Sequence, residues 1–123
     1  MSMYRNEIIE RYRFPRHKRV LKDANAQGEV INQLCGDDIT LYLKFDQENR
    51  TLTEAAFAGE GCALMHASAD LLCGHIMGKG HGEIVGLKAD DILALYGEQP
   101  SPSRLKCVLL PYEALQRGLK GFS

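Results

Sequence analysis

Cys35 stands two residues ahead of Asp37 in the stretch "QLCGDD", with only Gly36 between them, and three further cysteines follow at positions 62, 73 and 107. A buried cysteine packs as a small apolar side chain, and an exposed one is open to oxidation. Neither role asks for a carboxylate two positions on. A thiolate both binds soft metals and attacks sulfur. Three sulfurs from Cys35, Cys62 and Cys107 with one oxygen from Asp37 would suit tetrahedral zinc or the edge of an iron–sulfur cluster. The separations of 27 and 45 positions match no compact ligand pattern such as C-x-x-C. Spacing alone therefore leaves two readings open, one shared site or thiols that are buried and unrelated.

The other soft side chains divide by position. Cys73 lies 11 residues after Cys62, on nearly the same face of a helix but roughly 16 Å farther along its axis, so burial is the better reading. His66, one helical turn after Cys62, reads as ordinary packing with a supporting or spare ligand as the alternative. His75 and His81 flank the glycine-rich break "GKGHG" and are expected to face solvent, and His17 belongs to the basic run "RFPRHKR".

The elements that must bring the thiols together follow from periodicity. Residues 3–13 carry Tyr4, Ile8, Ile9 and Tyr12 at helical spacing, and Pro15 ends that helix. Three strands are expected at 28–34, 38–46 and 51–59. The second shows the clearest period of two, with Ile39, Leu41, Leu43 and Phe45 on one face. From Cys62 the period changes to that of a helix over 62–78, and a short helix at 89–97 is closed by glycine. A last helix at about 103–119 has Ser101 and Pro102 at its start, and Pro111 is expected to kink or divide it. The fold class is α+β, a small three-stranded antiparallel sheet covered by helices. In this arrangement Cys35 sits at a strand end, Cys62 opens a helix and Cys107 lies in the first turn of the last helix. Helix N-termini favour anions, so lowered thiol pKa values are expected at Cys62 and Cys107.

Length and composition narrow the class. The 123 residues read as one domain, 1–123, with a hydrophobic fraction of 45%, a charged fraction of 25% and a net charge of −1. Acidic and basic residues are mixed along the chain, which argues against nucleic-acid binding. The run Arg13–Arg19 is the exception and reads as a solvated turn or as a docking patch for an acidic partner. No stretch approaches a membrane span, and the charged N-terminus is no signal peptide, so a cytoplasmic protein with reduced cysteines is expected.

Taken together, "CGD" at 35–37, "GEGC" at 59–62 with "ASAD" at 67–70, and "RLKC" at 104–107 resemble the U-type iron–sulfur cluster assembly proteins, which include IscU, the N-terminal part of NifU, and SufU. "FPRHKRVL" at 14–21 resembles the family's segment centred on Asn-Pro-Arg, with Phe14 in place of its asparagine. The resemblance spans nearly the whole chain. It implies a SufE/NifU-like fold and one exposed site made by Cys35, Asp37, Cys62 and Cys107, which receives sulfur from a SufS-like cysteine desulfurase and hands product to downstream iron–sulfur assembly or acceptor proteins. Lys106 occupies a position where IscU-type scaffolds carry histidine, and "PSPSRLK" replaces their Leu-Pro-Pro-Val-Lys chaperone segment. Both features, with the "GEGC" form, look like SufU, whose site holds zinc. The short separation between Cys62 and Cys107 instead resembles the scaffold type.

The resemblance to SufU implies a zinc-dependent sulfur relay with Cys35 as persulfide acceptor, and Arg104, Lys106 and the Arg13–Arg19 run as docking groups. The scaffold branch implies iron in the same site, as a labile 2Fe–2S cluster that is assembled and transferred. A purely structural zinc domain is a third reading. A hydrolytic zinc enzyme is disfavoured, because four protein ligands leave no open position and no general base is evident.

Overall fold

A computed structural model describes residues 5–33, 36–97 and 100–122. Alternation of buried and solvent-facing side chains builds the sheet. Strand β1, Ala26–Asn32, buries every second residue, and β2, Asp37–Phe45, does so along its whole length. Strand β3, Leu52–Ala58, returns beside it. The order is β1-β2-β3, all antiparallel, with Val30 opposite Ile39 and Leu41 opposite Phe57. β1 starts two residues earlier than its sequence suggests, because Ala26 and Gly28 continue the inward-facing set.

Helix α2, Ala63–Ile76, lies across the sheet. Met65, Ala69, Leu72, Cys73 and Ile76 join the main core with Ile39, Leu41, Leu43 and Phe57, while Ala67, Leu64 and Leu71 pack against Ile8, Leu93, Tyr96 and Val108 on the other side. Those residues belong to α1, Arg5–Arg13, to α4, Ala89–Tyr96, and to α5, Pro102–Lys120. A short α3, His81–Val85, occupies the glycine-rich break where no helix is expected from sequence. There His81 is half-buried rather than solvent-facing, with its ring edge-on to Phe45 and tilted against Phe122.

Helix α5 departs most from its sequence pattern. It runs through Pro111 as one 19-residue helix instead of bending or splitting there. The proline has no N–H to give the Cys107 carbonyl four residues back. Packing holds the helix together across that gap, since α5 buries Val108, Leu110, Ala114, Leu115 and Gly118. The approach to β1 is so close that a Cβ on Gly28 would land on the Ala114 carbonyl, and one on Gly118 would press on the Gly28 backbone at 3.2 Å.

The basic run is not a free surface turn. Lys18 pairs with Phe57 as a parallel bridge, the Arg19 N–H donates to the Phe57 carbonyl at 2.8 Å, and the Phe57 N–H donates to the His17 carbonyl at 2.9 Å. The segment thus covers part of the β3 edge. Among the described residues no helix is long and apolar enough to cross a membrane.

Candidate metal centre

Three elements end at one corner of the sheet. Asp37 is the first residue of β2 and is only 3% exposed. Cys62 is the N-cap of α2, and Cys107 is the sixth residue of α5. One ligand atom from each, two sulfurs and a carboxylate oxygen, lie within 4.8 Å of one another. The site was expected to hold a fourth residue, Cys35, which lies outside the described residues.

The "GEGC" glycines make this corner possible. A Cβ on Gly59 would meet the Asp38 carbonyl, and one on Gly61 would sit 2.7 Å from Asp37 Oδ1 and 2.8 Å from Met65 Cε. With no side chain at 61, the Asp37 carboxylate comes directly under the start of α2. The Cys62 N–H donates to Asp37 Oδ1 at 3.2 Å, and Cys62 Sγ stands 3.7 Å from Asp37 Oδ2. Asp37 therefore satisfies one of the orphan N–H groups at the helix start while facing the thiol.

That spacing fits a tetrahedral ion. Bonds of the usual zinc–sulfur and zinc–oxygen lengths place a sulfur and an oxygen ligand about 3.5 Å apart and two sulfurs about 3.8 Å apart. Two soft sulfurs with one hard oxygen suit zinc, and equally an iron site with incomplete sulfur ligation. The donor set therefore fits the metals expected from the resemblance.

The charge state of the metal-free site corrects one expectation. Burial pushes the Cys107 thiol up to about 12, and the neighbouring Cys62 and Asp37 add to the shift. A lowered value was expected from a place in the first turn of a helix. Cys107 is instead in the second turn, where the helix-end field has faded, and it faces two groups of its own sign. Without a cation the proton stays on, and a bound dication would displace it.

The "ASAD" residues support the corner from behind. The Ser68 hydroxyl donates to the Val108 carbonyl at 2.6 Å, tying α2 to α5 one residue past Cys107. Asp70, fully buried, accepts from the Arg16 and His17 N–H groups at 2.8 Å each and from Arg11 Nη1 at 2.8 Å. The charge of α1 and the basic run is thereby anchored to α2. Sequence reasoning missed this role; an acid in the middle of an apolar helix face was the available signal. Cys73 is fully buried, and burial raises its thiol pKa far from any ligand role, as expected. His75 is exposed. Arg104 and Lys106 are exposed on α5 beside Cys107, and Lys106 lines a groove of about 600 Å³ between β1 and α5.

His66 is buried and engaged at both ring nitrogens. Nδ1 lies 3.0 Å from the Cys62 carbonyl and Nε2 lies 3.0 Å from Lys18 Nζ. Both nitrogens are thus engaged, Nδ1 by the backbone carbonyl of Cys62 rather than by its sulfur, and Nε2 by Lys18.

Comparison with known proteins decides the family. The model of the NifU-like N terminal domain matches residues 3–123. The chain belongs to that family. Among NifU-like relatives, the zinc-dependent sulfurtransferase SufU of Bacillus subtilis (strain 168) is 33% identical, with 96% of this chain and 90% of the relative covered. The iron–sulfur cluster assembly scaffold protein IscU of Thermotoga maritima is 31% identical over 98% of this chain and 95% of its own. A crystal structure from Fervidobacterium islandicum AW-1, assigned as an iron–sulfur cluster assembly scaffold for the SUF system, superposes with a TM-score of 0.77. It is 26% identical, with 94% of this chain and 96% of that one covered. The α+β architecture expected from sequence is the fold of these NifU-like proteins.

Proposed function

We propose that this NifU-like domain serves iron–sulfur cluster assembly as a zinc-dependent sulfur acceptor. It takes persulfide sulfur from a SufS-like cysteine desulfurase in the cytoplasm and relays it to downstream assembly or acceptor proteins. The observation that carries the proposal is the convergence of Asp37, Cys62 and Cys107 from three elements within 4.8 Å. The likeness to a relative named a zinc-dependent sulfurtransferase supports zinc as the resident ion, with Cys35, Asp37, Cys62 and Cys107 as its ligands. Lys106 before Cys107 supports the same branch, since an ammonium has no lone pair to offer a metal.

Zinc in this site would keep its thiol ligands deprotonated and protect them from oxidation. The proposed acceptor is Cys35. Its thiolate attacks the outer sulfur of the desulfurase persulfide and forms a new S–S bond, while the old S–S bond breaks and the desulfurase cysteine leaves as a thiolate. Gly36 beside it has φ 71° with open space where a Cβ would stand, so the backbone there is free of side-chain constraint. Asp37, Cys62 and Cys107 stay on the rigid elements. Arg104 and Lys106 are the proposed docking groups. Cys35→Ser is expected to abolish stimulation of the desulfurase and persulfide formation on this protein, measured by sulfide release and by mass spectrometry. Normal stimulation by that variant would remove Cys35 from the role.

The IscU relatives favour a second reading, a scaffold for a labile 2Fe–2S cluster, because two thiolates and a carboxylate at one corner give incomplete sulfur ligation. Anaerobic reconstitution with iron and sulfide separates the two. A stable visible chromophore dependent on Cys62 supports the scaffold, and zinc that resists replacement supports the relay.

A further inference from the structure

Cys62 is held on both sides of its Cα. Its N–H is fixed by Asp37 Oδ1 at 3.2 Å, and its carbonyl accepts two bonds from one residue, the His66 N–H at 3.2 Å and the His66 ring Nδ1 at 3.0 Å. With both flanking peptide planes pinned, the direction of the Cα–Cβ bond is set, and only the rotation about it remains free to the thiol. The backbone at Cys62, φ −72° and ψ 164°, is thereby kept in the geometry that aims Sγ at Asp37 and Cys107.

The ring does this in one tautomer alone. A carbonyl can only accept, so Nδ1 carries the hydrogen, and Nε2 is left as an acceptor. Lys18 Nζ, which can only donate, meets Nε2 at 3.0 Å. The ring is 2% exposed, edge-on to Tyr12 at 5.1 Å and to Phe57 at 6.0 Å, so Nε2 has little access to water to replace the lysine. Lys18 is itself held by its backbone bridge to Phe57.

We infer that Lys18 and His66 form a positioning pair for Cys62. The lysine selects the ring tautomer, and the ring clamps the peptide that carries the ligand, so that the corner is shaped before a metal enters. The inference rests on the reading of Asp37, Cys62 and Cys107 as a metal centre. It also ties the basic segment, through one side chain, to a ligand of that centre.

The test compares four proteins, wild type, His66→Leu, His66→Asn and Lys18→Met, each loaded with cobalt as a spectroscopic substitute and titrated with zinc against a chelator. His66→Asn keeps an amide donor at the position of Nδ1, and Lys18→Met keeps the stem without the donor. His66→Leu is expected to lose about 10–100-fold in zinc affinity, the usual cost of removing a group that orients a ligand. Its sulfur-to-cobalt charge-transfer bands are expected to shift. His66→Asn should restore most of the affinity, and Lys18→Met, at an exposed position that does not threaten folding, should lose several-fold. Wild-type affinity and spectrum in both His66→Leu and Lys18→Met would overturn the positioning role. Equal losses in His66→Leu and His66→Asn would also overturn it, by reducing the ring to filler. Failure of wild type to bind either metal would instead overturn the metal centre, and the pair with it.

Discussion

Cys107 on α5 and Asp70 on α2 show how differently two buried acids are accommodated. The Cys107 thiol is pushed up to about 12 by burial and by Cys62 and Asp37, so at neutral pH the metal-free protein keeps that proton. Zinc uptake must expel it. Calorimetric titration in buffers of different ionisation heat is expected to show at least one proton released per zinc at neutral pH from Cys107. The sign for the metal-free fold follows from the same shift. A pKa raised above the ordinary thiol value of 9.0 contributes stability that is complete below pH 9 and is lost as pH rises toward about 12. Asp70 instead is matched by three donors. Asp70→Ala leaves the half-buried Arg11 with Glu7 alone and frees two backbone N–H groups, at an expected cost of about 3–5 kcal/mol, measured by urea unfolding. The candidate ligand residues were readable because "CGD", "GEGC" and "RLKC" are local words. Asp70 and the Lys18–His66 contact were not, because their partners lie 48 to 59 positions away.

Periodicity gave the elements where one face is buried and failed where packing overrules local preference. β2 was legible because its inward residues after Asp37 are all apolar, Ile39, Leu41, Leu43 and Phe45. The β1 boundary was less so, because Gly28 carries no hydrophobic signal and is inward-facing for a different reason, the close approach of α5. That contact predicts that Gly28→Ala drives a methyl into the Ala114 carbonyl. The expected cost is about 1–3 kcal/mol or more, as for other overpacked cores, with the midpoint of denaturant unfolding as the measure. Pro111 misled for the converse reason, since a helix buried along so much of its length survives the loss of one hydrogen bond. The short α3 was hidden by its glycines.

At the scale of the whole molecule, the main apolar cluster of the described residues does not run through the candidate metal site. Among the described residues nineteen buried side chains form one cluster from the sheet, α2 and α5 with Ile84 of α3 and Ile92 of α4, and Cys62 only packs at its margin. This arrangement predicts that removing zinc leaves a folded protein. Chelation is expected to keep the helical circular dichroism and a cooperative melt while lowering the Tm. A loss of about 4 kcal/mol corresponds to free zinc at a thousand times its Kd. A structural zinc domain would lose its helical signal outright. The distinction was accessible from sequence only as a preference, because the size of the core cannot be counted before the strands are paired.

The missing rung at Pro111 has a consequence for the corner it lies behind. The portion of α5 that carries Cys107 is joined to the portion seated on β1 by one bond fewer than an unbroken helix would have. Asp37 and Cys62, by contrast, are bonded to each other across the elements. The third ligand residue is tied in from α2 instead, through the Ser68 hydroxyl on the Val108 carbonyl one residue away.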